Sequence, residues 1–166
     1  MYHTITEFAN DWGRDSASTL RLLRLLTDDS LGQKVTPEGR SLGRIAWHIT
    51  SSIIEMGNIA GLLGDEPPLS DEPPASAAEI ADTYERISNA LLTAVKTQWT
   101  DSTLAEERFM YGEMWKNGFT IQALMGHEIH HRGQMTVLMR QAGLPVVGVY
   151  GPSKEEWTQF GSPPAP

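Results

Sequence analysis

The stretch IQALMGHEIHHRGQMTVLMRQAG, residues 121–143, decides the fold. Its pattern predicts a helix from Ile121 to Ala142. Asn117-Gly118 reads as a turn before it, and Thr120 is placed to cap it. Gly143 and Leu144-Pro145 stop it. Ala123, Leu124, His127, His131, Gln134 and Leu138 recur at helical spacing and make one inward stripe. A stripe that mixes aliphatic residues with imidazoles directs polar chemistry toward the interior.

Each helical residue turns about 100°, so His127 and His131 differ by about 40° and stack one turn apart. Neutral imidazoles are good ligands for Zn, Ni, Cu or Fe(II). His130 lies about 60° to the other side of His127, so His127 with His130 is an alternative i,i+3 pair. The stripe through Gln134 and Leu138 favours His131 and leaves His130 on a flank. Arg132 projects about 140° from His127 and reads as a surface or interface residue. Gly133 reads as an allowance for close packing.

Working outward, three more amphipathic helices precede this one. The first is predicted over Ile5–Asp28, opened by a capping box of Thr4 and Glu7. The second spans Leu42–Leu63 with Ser41 as N-cap. Its apolar face carries Leu42, Ile45, Ile49, Ile53 and Met56. The segment 64–76 holds two Pro-Pro pairs and reads as a stiff connection. The third helix starts after Ser76, with Glu79 completing another capping box, and fades near Trp99. Residues 100–118 form a long connection with a helical turn at Thr103–Arg108 and a less regular arm. Such connections often cover functional sites. A short helix follows Ser153 and runs through Trp157, and no strand pattern stands out. These elements predict an all-α, up-and-down four-helix bundle with one domain over 1–160 and a flexible tail over 161–166.

His48 lies about 60° from Ile45, at the edge of the apolar face of the second helix. Bundles build metal sites from facing helices. His48, His127 and His131 are therefore the candidate ligands. A three-histidine set leaves positions for water or substrate, as catalytic sites do. Gln134, Glu128 and Glu55 are candidates to orient the rings or to act beside them. Glu55 also reads as an ordinary rim carboxylate. His3 reads as a terminal polar residue, and Trp47, Trp115 and Tyr150 as packing aromatics. No particular general acid or base stands out.

Composition excludes several classes. There is no cysteine, hence no disulfide and no thiolate ligand. The formal charge is −8, and Lys and Arg are scattered, so no basic stripe suits nucleic acid. No apolar run reaches the ~20 residues of a membrane span. The start MYHTITEFANDWGRD lacks the basic and apolar parts of a secretory signal, which predicts a cytoplasmic protein. Nucleotide-binding and serine-nucleophile motifs are absent.

The run HEIHHRGQMTVLMRQAG, followed by LPVVGVYGPSKEEW, resembles the DinB-like (DinB/YfiT-like) superfamily of bacterial proteins. The segment LGRIAWHI is similar to the one that carries that family's first ligand, and MYGEMWKNGF extends the resemblance. The resemblance implies a four-helix bundle with a three-histidine site at His48, His127 and His131, a bound Ni or Zn, and a homodimer. It further implies a small-molecule substrate. Some relatives transfer low-molecular-weight thiols such as bacillithiol or mycothiol to electrophiles, and others resemble metal-dependent hydrolases. A non-catalytic metal-binding module of the stress response is the third reading.

Overall fold

Thr4 opens the first helix, α1 (Ile5–Leu23), by accepting from the Glu7 backbone N–H at 3.1 Å, while Glu7 accepts from the Thr4 N–H. The computed structural model describes residues 1–64 and 66–163. Helix α1 ends at Leu23, short of the expected Asp28. Residues Asp28–Gly32 form a 3-10 turn instead, and Asp28 Oδ1 accepts from the Ala77 N–H at 2.7 Å. That N–H opens the third helix and has no partner within it, so Asp28 serves a neighbouring helix rather than extending its own.

Helix α2 (Leu42–Ile59) is capped by Ser41, whose Oγ accepts from the Arg44 N–H. It stops before Leu63 because Gly61 turns left-handed (φ 76°) and Leu62 N–H donates back to Gly57 at 2.8 Å. Helix α3 (Ala77–Gln98) is capped by Ser76. A 3-10 turn at Thr103–Ala105 follows.

A β-hairpin then replaces the arm expected to be irregular. Strands β1 (Glu107–Met110) and β2 (Glu113–Lys116) pair antiparallel, with Phe109 opposite Met114. Tyr111 (φ 47°) and Gly112 (φ 93°) make the two-residue turn, both left-handed as the strand twist requires. Four-residue strands are too short to show alternation against the surrounding sequence.

Helix α4 (Asn117–Gln141) leaves β2 without a loop. It begins at Asn117, not Ile121, because the hairpin supplies its start: Asn117 N–H donates to Glu106 and Asn117 Nδ2 to Thr103. Thr120 is no cap; its hydroxyl donates back to Lys116. Gly118 is required by space, since a Cβ there would strike the Tyr2 carbonyl. Gly133, by contrast, has open space where a Cβ would stand, so close packing does not explain it. Gly143 (φ 75°) closes the helix. A last 3-10 turn covers Glu156–Phe160. The expected tail over 161–166 lies outside the described residues from 164 onward.

The four helices form a bundle in which α1 packs on α3 and α4, and α2 packs on α3 and α4. Helices α1 and α3 run antiparallel: Ile5 N–H donates to Asp101 beyond the end of α3, and Arg24 pairs with Asp82 near its start. Trp12, Tyr84, Phe8, Ile53, Ile80 and Leu91 are fully buried in one core. No helix among the described residues is long and apolar enough to cross a membrane.

Candidate metal centre

Helix α4 is wedged between α2 on one side and α1 on another, and each side takes a polar pair spaced i,i+4. His127 and His131 face α2. Glu128 and Arg132, one residue out of phase and so about 100° round the axis, face α1 and α3.

His48, half-buried on α2, meets the first pair. His48 Nε2 lies 3.2 Å from His127 Nε2, and His131 Nε2 lies 3.1 Å from the same atom. One ligand atom from each of the three lies within 4.8 Å of the others. Two nitrogens each ~2.0–2.1 Å from one ion, at angles of ~90–109°, would be roughly 2.9–3.4 Å apart. The observed separations fall inside that range, so the trio is positioned to hold a metal ion. Direct hydrogen bonding satisfies the rings poorly by comparison. His127 Nε2 faces two other nitrogens and carries at most one hydrogen, while its buried Nδ1 has no partner.

The surroundings keep the rings neutral. Burial, then the nearby His131 and His48, push His127 down to about 4. Burial lowers His48 and His131 as well, and in both cases the Arg40 charge works in the same direction. Neutral imidazoles are the form that binds metals.

Gln134 fixes one of these rings. Its Oε1 accepts from His131 Nδ1 at 2.7 Å, and its amide nitrogen donates to His130 Nε2 at 3.1 Å. With the hydrogen on Nδ1, the His131 lone pair is at Nε2, toward the cluster. His130 itself is exposed and stays outside the trio.

Glu55 accepts from the Tyr111 hydroxyl at 2.9 Å and shares with His48 and His127 a cavity of about 300 Å³ that Trp115 also lines. Burial and the Glu55 carboxylate push the Tyr111 phenol up to about 12. The Tyr-Gly hairpin turn thus hangs a phenol over the cluster. The sequence held only a weak signal for it, the single Gly112, since Tyr at the first turn position is not a residue that favours a left-handed backbone. A second cavity, of about 460 Å³, reaches the cluster at His131.

Glu128 is not among the groups that orient the rings. Its Oε1 accepts from Thr19 at 2.7 Å and Tyr84 at 2.8 Å on the opposite side of the helix. Burial holds its carboxyl above the ordinary range. Arg132 is likewise not on the surface. It is 3% exposed and pairs with the buried Asp15 at 2.8 Å, and Tyr150 donates to the same carboxylate. Its guanidinium also lies over the Tyr150 ring. Trp47 and Trp115 do pack, Trp47 in the core and Trp115 against it, though both also line cavities.

A model of the DinB family matches residues 1–164. The chain is 47% identical over 161 residues to the uncharacterized protein YrdA of Bacillus subtilis (strain 168), covering 97% of this chain and 96% of that one. A DinB-like protein from Bacillus cereus ATCC 10987 superposes with a TM-score of 0.84 at 40% identity, over 90% of this chain and 100% of that one. The DinB-like protein YjoA from Bacillus subtilis has a TM-score of 0.70 at 19% identity, over 88% and 99% of the two chains, and shows likeness of fold alone.

Proposed function

The chain belongs to the DinB family, and from that premise we propose that it is a divalent-metal-dependent enzyme that transfers a low-molecular-weight thiol to a small electrophile. The observation that carries this reading is the meeting of three neutral imidazoles, with Nε2 atoms 3.1 and 3.2 Å apart, where cavities open onto them. His48, His127 and His131 are the proposed ligands, and Ni or Zn the proposed ion. When bound, such an ion supplies Lewis acidity, which favours the deprotonated form of a thiol or a water.

The protein's own residues supply the rest. Gln134 orients His131. Trp115 and Met56 give one cavity an apolar wall that excludes water. Glu55 stands there as the acceptor for a proton, with Tyr111 fixing its position. Three cavities reach the trio, one at His131, one at His48 and His127, and one at His48 beside Trp47, and separate openings suit transfer between two substrates. A hydrolase remains the second reading, favoured by Glu55 as a carboxylate that shares a cavity with both His48 and His127.

Protein purified without a histidine tag is to be tested by elemental analysis and then incubated with bacillithiol and a chlorinated aromatic acceptor. Transfer predicts about one ion per chain and metal-dependent loss of thiol, both abolished in His48→Ala. Ester or amide cleavage without thiol loss selects the hydrolase. A metal-loaded dimer with no turnover selects the binding module.

A further inference from the structure

Of the three cavities at the cluster, the one at His131 differs in chemistry from the others. Ile45 and Leu138, both buried, line it, together with Val35 and Val137, which are 65% and 53% exposed. Branched aliphatic side chains left this open beside a cluster of imidazoles are apolar surface without a cover. Its size, about 460 Å³, falls in the ordinary range for small-molecule sites. His131 is at one end.

Arg40 is, among the described residues, the only charged side chain on this cavity. Among the described residues it makes no ion pair and no hydrogen bond, although acids outnumber bases in the chain by 21 to 13. Arg14, Arg24, Arg86, Arg132 and Arg140 hold carboxylates, Arg21 and Arg44 hold backbone carbonyls, and among the described residues Arg40 shares its lack of a partner with Arg108, which is not on this cavity. Arg40 is near enough to the cluster to act on two of its imidazoles. Glu55 lines both other cavities at the cluster, alone in the one shared with His127 and with Arg44 and Asp71 in the one beside Trp47. An anion is therefore favoured on the Arg40 side and opposed on the Glu55 side.

We propose that the Arg40 cavity is the binding site for a small carboxylate with an apolar body. The planar guanidinium takes the carboxylate through paired N–H donors. The apolar body lies along Val35, Ile45, Val137 and Leu138, and the molecule reaches the cluster at His131. This names the class of one substrate and so rests on the proposed metal-dependent reaction, but the site itself is built without the ion.

The test uses phenylacetate, its neutral analogue phenylacetamide, and acetate. Each is titrated into metal-free and metal-loaded full-length protein, with binding read by amide chemical shifts at Val35, Ile45 and Val137. Phenylacetate is expected to bind at least about tenfold more tightly than either analogue, and Arg40→Gln to remove that preference without changing metal content. Equal binding of phenylacetate and phenylacetamide overturns the proposal. So does unchanged phenylacetate binding in Arg40→Gln. Binding that is unaffected by Arg40→Gln but lost on metal removal places the carboxylate on the ion and also overturns it. If elemental analysis finds no metal, the reaction fails while the metal-free titrations still score the cavity.

Discussion

Protonation should compete weakly for the metal centre, and the number of protons displaced measures this. Three imidazoles at the ordinary value of ~6.5 would together carry roughly 2.3 protons at about pH 6. His127 is held down to about 4 by burial and its two neighbours, so at that pH it carries only ~0.01 proton. His48 and His131 are also lowered. Even at their ordinary values they would contribute no more than ~1.5 protons together. Titration of Zn²⁺ into metal-free protein at about pH 6, in two buffers of different ionisation enthalpy, counts the protons released. Fewer than ~1.5 per ion are expected, with affinity at that pH reduced less than in an exposed three-histidine site. Release of two or more would show that His127 is an ordinary solvated imidazole, and the account of the site as a desolvated neutral trio would be wrong.

The Gln134→Leu variant removes the acceptor at His131 Nδ1. Its affinity for Zn²⁺ should fall ~10–100-fold with helix content unchanged, and an unaltered affinity means the ring needs no such support. Arg132→Met strips the buried Asp15 of its cation. Urea unfolding should show a loss of ~3–5 kcal/mol, with Asp15→Asn/Arg132→Met recovering part of it. A loss under ~1 kcal/mol contradicts the burial of that pair. Metal-free protein should also lose stability as pH falls. The unfolded chain takes up protons at His127 near ~6.5 and the folded chain only near 4, so the contribution is full above ~6.5 and is lost toward 4. Urea midpoints across this window should slope less in His127→Gln than in the parent chain, and parallel slopes count against the linkage.

Much of the bundle was legible because helix boundaries are local chemistry. Thr4, Ser41 and Ser76 cap the helices that their spacing announced. The failures came where a distant partner decided the outcome. Asp28 leaves the register of α1 because the first N–H of α3 is within its reach. Asn117 starts α4 because the hairpin brings Thr103 and Glu106 beneath it. Periodicity reports that a face is buried but not against which helix. The packing of α2 between α3 and α4, with α1 on their other side, could not be read from the chain.

The same limit explains how the site was read. His127, His131 and Gln134 share one stripe of one helix, and their relation follows from 100° per residue. Glu128 and Arg132 obey the same arithmetic, but it gave no reason to think their side was also interior. A helix with one apolar stripe has a polar face for solvent; α4 has neighbours on both sides and buries polar residues toward each. Toward α1 and α3 most of the charge is answered: Asp15 pairs with Arg132, and Thr19 and Tyr84 donate to one oxygen of Glu128, whose other oxygen is buried without a partner among the described residues. Toward α2 the arrangement has no such closure. One ring nitrogen from each of three histidines comes within 4.8 Å of the others there, and an arginine on one side and a carboxylate on the other stand where incoming molecules would reach them. A buried polar set whose members satisfy one another holds a fold together. One whose ligand atoms crowd together without enough hydrogens to satisfy one another is better answered by a further partner, and that difference between the two faces of one helix is the physical basis for seeking chemistry at His48, His127 and His131.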